Sequence, residues 1–191
     1  MRIHESSPVM RGTSARLARD CPGYVSSQYF SDVPGGTDHR GTRCEDLERL
    51  SFPDASLDLH VTQDVFEHLF HPDLAFREIA RTLKPGGAHV FTTPLTEKHK
   101  PTQVAASLTP QGKVIHYLKP EYHGNPVSDQ GSLLTFRWGY DICDYIHRAC
   151  GLQTTIVHLD DLSHGIRAEF IEVMITRRPS SPTLQQGVSA I

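Results

Sequence analysis

Apolar and polar positions alternate through "LDLHVT" at 57–62, where Leu57, Leu59 and Val61 recur at every second place. That is the period of a strand with one buried face. From Pro72 the period changes. Ala75, Phe76, Ile79, Ala80 and Leu83 recur at helical spacing and form one apolar stripe. Pro72 is pre-set for the first helical position, and Asp73 suits the positive end of the helix dipole. The pattern predicts a helix with Lys84 in its last turn, stopped by Pro85-Gly86-Gly87, and then a strand over "AHVFTTP" at 88–94. Strand, helix, strand with short connections is the right-handed crossover of a parallel sheet.

The flanks extend this alternation. "GTSARLARD" at 12–20 has helical composition, and "YVSSQYF" at 24–30 favours a strand through Tyr, Val and Phe. Pro and Gly mark 33–41 as a loop, and 42–56 reads as a short strand ending near Asp46, then a polar turn. Residues 95–138 are rich in Pro, Gly, Thr and His and keep no period, and irregular segments of that length are often functional. Ile142, Tyr145, Ile146 and Ala149 return to helical spacing before Gly151, and "QTTIVHL" and "FIEVMITRR" follow as two consecutive strands. The expected fold is α/β: a Rossmann-like, doubly wound, mostly parallel sheet with an antiparallel C-terminal edge hairpin. It forms a single domain over 1–178, with 95–138 as an insert and 179–191 as a disordered tail. Ligands on such sheets bind beyond the carboxyl ends of the strands. Those ends fall at Glu5 to Ser7, Gln28 and Tyr29, Asp46 and Leu47, Gln63 and Asp64, and Thr93 and Pro94.

Composition narrows the partners. With 38% hydrophobic and 21% charged residues the chain reads as globular, and a formal charge of -3 gives no support to a nucleic-acid-binding surface. No apolar run approaches the roughly 18–20 residues needed to span a bilayer. "MRIHESSPVM" lacks the apolar core of a signal peptide. Cys21, Cys44, Cys143 and Cys150 form no Cys-x-x-Cys pair, so neither a zinc ribbon nor a redox motif is indicated. Scattered thiols fit a reducing compartment, and the expected location is cytoplasmic. Twelve histidines become interesting only where they converge with carboxylates.

One stretch carries most of the chemistry. Residues 45–94 run "EDLERLSFPDASLDLHVTQDVFEHLFHPDLAFREIARTLKPGGAHVFTTP". An acidic residue, "FPD.S.D", a strand, "D.FEH", a helix and "LKPGG..V.T.P" follow in order, and the set resembles the middle of a class I S-adenosylmethionine-dependent methyltransferase of the type 11 methyltransferase-domain group. The resemblance implies S-adenosyl-L-methionine as cofactor. It puts Asp46 and Leu47 at the adenine, where a carboxylate accepts from the exocyclic amino group and a backbone N–H reaches a ring nitrogen. It puts Gln63 and Asp64 beside the cofactor, facing the substrate. Glu5 takes the acidic position that opens the first motif, but "SSPVMRG" replaces the expected Gly-x-Gly-x-Gly, leaving Ser6, Ser7 and Gly12 where backbone amides should approach the methionine part. Pro8 has no N–H to donate. Gln28, followed by Tyr29, stands where an acidic residue would grip the ribose, and a neutral amide does so without charge assistance.

On the acceptor side His68 and His123 are candidate general bases, since an imidazole titrates near neutrality. The insert 95–138, with Glu121, Tyr122, His123 and Asn125, is expected to cover the substrate, and Phe136 and Trp138 to serve as its apolar cover. Asp64, Glu67 and His68 also resemble a carboxylate and histidine metal site of some methyltransferases, to which His71 or His123 would add a ligand, but the expected site holds no metal. The implied function is methylation of a small-molecule acceptor by direct in-line transfer, without nucleic acid or membrane. The alternative is a catalytically degenerate methyltransferase-fold protein, or one truncated at its start, that acts as a binding or scaffold partner. A nicotinamide oxidoreductase fits poorly, because no Gly-x-Gly-x-x-Gly follows a strand.

Overall fold

The first strand, β1 (Ile3–Ser6), is buried at every position. Helix α1 (Gly12–Asp20) returns the chain to β2 (Tyr24–Gln28). A short hairpin of β3 (Asp38–His39) and β4 (Thr42–Cys44) follows, then β5 (Leu57–Gln63), a 3-10 turn at Phe66–His68 and helix α2 (Pro72–Thr82). The chain continues as β6 (Leu83–Thr92). The insert supplies β7 (Gln103–Val104), β8 (Ala106–Leu108), β9 (Val114–His116), β10 (Tyr122–Asn125), β11 (Ser128–Leu133) and β12 (Phe136–Arg137). Helix α3 (Ile142–Cys150), β13 (Gln153–His158) and β14 (Glu172–Arg177) complete it. This computed structural model describes residues 1–125 and 128–180, so Pro126, Val127 and most of the expected tail lie outside the described residues. Among the described residues no helix is long and apolar enough to cross a membrane.

Eight strands form one sheet in the order β13-β14-β6-β5-β1-β2-β4-β3. The centre is parallel, and β14 pairs antiparallel with both β6 and β13. The expected architecture, including the C-terminal hairpin, is the one observed. Gly151 ends α3 in the left-handed conformation with φ 76°.

Two local expectations are corrected. Helix α2 ends at Thr82, one turn before the glycines, and Leu83 is already extended with φ -66° and ψ 137°. Lys84 to Gly87 form an irregularity in the β5–β6 ladder, whose register jumps between Leu57↔Leu83 and Leu59↔Ala88. Gly86 takes φ 82° there, and a Cβ on Gly87 would lie 2.9 Å from the Lys84 carbonyl. The glycines therefore serve a bulge rather than a helix stop.

The second concerns β5. Its alternation predicts one buried face, yet His60 and Thr62 are fully buried while Leu59 is only partly so. A central strand is covered on both sides, and the polar positions face α2. In register across three strands stand His4, His60 and His89. Burial of these imidazoles is offset by hydrogen bonds. His4 Nε2 meets Ser27 Oγ at 2.8 Å, His60 Nε2 meets Thr82 Oγ1 at 2.8 Å, and His89 Nε2 meets Thr62 Oγ1 at 3.0 Å. The apolar core lies around this row, with Phe66, Phe76, Ile79, Phe91 and Ile146 all within 2% of full burial.

The insert is not an open loop. It folds as three antiparallel pairs, β7 with β12, β8 with β9, and β10 with β11. At one end the Asp141 carboxylate accepts from Thr102 N (3.0 Å) and Thr102 Oγ1 (2.6 Å). At the other, Thr135 donates from its N–H and its hydroxyl to the Glu67 carbonyl at 2.7 and 2.9 Å. Phe136 and Trp138, expected as apolar cover for the insert, belong to the main core instead. They stack 4.8 Å apart there, Trp138 with no exposure at all.

Candidate functional site

A cleft of about 870 Å³ opens at the carboxyl ends of β1, β2, β4 and β5 and is closed on one side by the insert through Leu108, Gly124, Ser132 and Leu133. Its walls follow from how each strand ends. Beyond β1, Ser7 takes the left-handed conformation at φ 56° and donates its N–H to the Ser27 carbonyl at 2.8 Å. A side chain is costly there and glycine is free, so the chain keeps the backbone shape of a glycine turn with a serine in it. Ser7 lines the cleft. Glu5 does not: it lies beneath, fully buried, accepting at 2.7 Å from each of Ser14 Oγ, Tyr24 OH and Gln63 Nε2. That carboxylate fastens α1, β2 and β5 to β1.

Gln28 and Tyr29 line the cleft after β2, Tyr29 with its ring 55% exposed. After β4, Arg43 and the buried Glu45 pair at 2.7 Å and hold the turn that presents Asp46 and Leu47. Asp46 Oδ1 accepts from the Glu48 N–H at 2.9 Å. This is the turn-forming role of an Asp, and it leaves the second carboxylate oxygen without a partner among the described residues. The Leu47 N–H likewise has no acceptor among them, and its side chain is buried. Glu48, its carboxyl pushed up by burial, accepts from the His71 N–H at 2.9 Å.

At the end of β5, Gln63 lines the cleft and donates to Glu5, and Asp64 is left-handed at φ 52°. Thr92 Oγ1 donates to Asp64 Oδ1 at 3.0 Å and holds that turn. The 3-10 turn then buries Glu67 at 1% exposure. Thr93, one of the expected strand-end residues, donates to Glu67 Oε2 at 2.8 Å, while Oε1 is buried with no partner among the described residues. Burial raises the Glu67 carboxyl to about 7. His68 Nδ1 lies 2.9 Å from the Leu133 carbonyl, its Nε2 3.7 Å from Glu67 Oε1, and burial lowers its pKa. The His123 ring stands edge-on to the His68 ring at 5.1 Å.

Of the residues expected from sequence, the fold gathers Ser7, Gln28, Tyr29, Asp46, Leu47, Gln63, Asp64 and His68 around one cleft and brings His123 against His68. Pro94 is not among the lining residues. Sequence reasoning missed Arg11, Glu48 and the apolar wall of Leu69, Phe70, Leu108 and Leu133. Only Glu48 carried a signal, two residues beyond Asp46 in the same acidic turn.

Residues 27–91 match the family described as "Methyltransferase domain". No curated protein matches the chain. Among solved structures, an amino pentose methyltransferase of Micromonospora echinaspora, determined with S-adenosylmethionine bound, aligns with a TM-score of 0.58 and 14% identity, over 93% of this chain and 83% of that one. An S-adenosylmethionine-dependent methyltransferase of Mesorhizobium loti aligns with a TM-score of 0.54 and 16% identity, over 93% and 90% of the two chains. The 1,6-didemethyltoxoflavin-N1-methyltransferase of Burkholderia thailandensis, with its substrate and S-adenosylhomocysteine, aligns with a TM-score of 0.53 and 11% identity, over 93% and 71%.

Proposed function

We propose that this chain, which carries a methyltransferase domain on the class I methyltransferase fold, transfers a methyl group from S-adenosylmethionine to a small-molecule acceptor. The observation that carries the reading is the pair at 46–47: one carboxylate oxygen and one adjacent N–H, both without partners among the described residues, in a turn that lines the cleft. A purine edge, with an amino donor beside a ring-nitrogen acceptor, is the complement of that pair. The residues present fit the cofactor. Gln28 offers an amide to the ribose hydroxyls, the Asp64 carboxylate in the lining suits a sulfonium cation, and Ser7 leaves its turn open to the methionine part.

Bound there, the cofactor supplies an already activated methyl group on a positive sulfur. The protein's own work is placement. In-line geometry and proximity are the main contributions asked of it, and the apolar wall of Val65, Leu69, Leu108 and Leu133 keeps the acceptor side poor in water. His68 donates through Nδ1 to the Leu133 carbonyl, so the lone pair is on Nε2, where it can take the acceptor's proton. His123 is the second candidate, on the insert.

Calorimetric titration of the folded protein with S-adenosylmethionine and S-adenosylhomocysteine tests the reading. Micromolar binding, weakened at least tenfold in Asp46→Ala, is the expected result. A folded protein that binds neither at millimolar ligand overturns it. The second reading, a binding protein on a methyltransferase fold, is favoured in that event by Pro8 in the first loop and by the internal use of Glu5.

A further inference from the structure

The buried Glu67 Oε1, without a hydrogen-bond partner among the described residues, lies beside two imidazoles. We propose that Glu67, His68 and His123 form a binding site for one divalent transition-metal ion of the zinc class, with a coordination position open to the cleft.

Glu67, His68 and His123 each bring one ligand atom into a group no more than 4.8 Å across. Each ligand is oriented from behind. Thr93 holds Glu67 Oε2 at 2.8 Å and leaves Oε1 facing His68 Nε2. Thr135 fixes the Glu67 carbonyl from the other side. Leu133 accepts from His68 Nδ1 at 2.9 Å, which is the outer-shell contact that commits the opposite nitrogen to a metal. The His68 and His123 rings are perpendicular at 88° with centroids 5.1 Å apart. A buried carboxylate oxygen with no donor is costly, and a cation removes that cost.

The donor set selects the ion. Two imidazoles and one carboxylate suit zinc and its neighbours, while magnesium and calcium take all-oxygen sites. Three protein ligands with an open fourth position is the catalytic type of zinc site. Asp64, whose Oδ1 accepts from Thr92, is not a member of the group. The carboxylate and histidine set legible in sequence is therefore rearranged: His123, from the insert, takes the place of Asp64. His68 and Gly124 both line the cleft, so the open position faces the acceptor. Resting on the methyltransferase reading, and taking the base role away from His68 and His123, whose ring nitrogens become ligands when the ion is bound, this names the acceptor class: a molecule whose reacting group, or a neighbour of it, is a hydroxyl or other oxygen donor.

The test uses the full chain, stripped with chelator and titrated with zinc by calorimetry and with cobalt by visible absorption. One equivalent binding in the micromolar range or tighter is expected, weakened at least tenfold in His123→Ala. His123 is exposed, so this variant keeps its fold, and Glu67→Gln serves as a second with circular dichroism as the folding control. His71→Ala, outside the group, should bind as the parent does. Absence of stoichiometric binding, or binding indifferent to His123→Ala, overturns the proposal. S-adenosylmethionine titrated in the presence of chelator reads the cofactor site separately, so either reading can fail while the other stands.

Discussion

His4 and His60 face each other Nδ1 to Nδ1 at 3.1 Å inside the sheet, on adjacent parallel strands and out of reach of water. One nitrogen donates and the other accepts, so the contact is lost once both rings carry a proton on Nδ1. Burial lowers His4 to about 3, with the Arg43 charge a smaller cause, lowers His89 to about 3, and takes His60 well below 6.5. The unfolded chain binds protons on these rings below about pH 6.5, and the folded chain does not. Stability is therefore complete above that pH and falls as pH drops from about 6.5 towards 3. Each ring contributes roughly 1.4 kcal/mol per pH unit in that window. Urea midpoints measured from pH 7.5 to pH 5 should fall steeply. His89→Phe, whose ring can keep the stacking on Phe91 at 4.3 Å, should flatten the slope by removing one of the buried imidazoles that set it. A midpoint that stays level to pH 5 would refute the neutral row.

Ser7→Gly should stabilise the protein. Serine at φ 56° costs of order 1 kcal/mol that glycine does not, less the extra entropy glycine brings to the unfolded chain. A rise of about 0.5 kcal/mol or more in unfolding free energy is expected. Ser7→Val at the same place should lower it by more than 1 kcal/mol, roughly, since a branched side chain tolerates that conformation least.

Asp46 carries two duties that substitution can separate. Asp46→Asn keeps an oxygen for the Glu48 N–H, so thermal stability should stay near the parent, while affinity for S-adenosylmethionine drops. Asp46→Ala should lose both, the turn bond being worth about 1 kcal/mol. Equal cofactor affinity in the parent and Asp46→Asn would remove the carboxylate from the site.

Trp138 is the chain's one tryptophan and has no exposure. Its emission should be blue-shifted in the native state and move to the red cooperatively on unfolding. Trp138→Ala should cost about 3–5 kcal/mol through the cavity it leaves. Unchanged stability would mean the indole covers a site rather than filling the core.

Much of this was readable in advance where a segment's own period decides its structure. Helix α1, helix α3 with its Gly151 stop, and the closing hairpin needed no tertiary information. The strand-end residues were legible because parallel sheets place their ligand sites there. What escaped depends on neighbours. The alternation of β5 was seen correctly, but its meaning changed because two further strands flank it, and His60 was buried as a hydrogen-bonding residue rather than exposed as a polar one. The bulge at Lys84 to Gly87 and a helix stop use the same residues. Trp138 was separated from the core by an irregular segment and so read as part of it. The resemblance offered His71 or His123 as a partner for Glu67 and His68; the choice of His123, fifty-six positions from Glu67 by number, needed the folded insert.

The two anchors of the insert, Thr102 on Asp141 and Thr135 on Glu67, lie on either side of the stretch that lines the cleft. On the proposed reading, residues 103–133 should accept exchange between those fixed points while the sheet keeps its register and the turn at Asp46 its shape. That reading divides the molecule into a part that holds the reagent and a part that selects what it acts on. Grafting the corresponding span of another protein of this fold between Thr102 and Thr135 would be a way to redirect it.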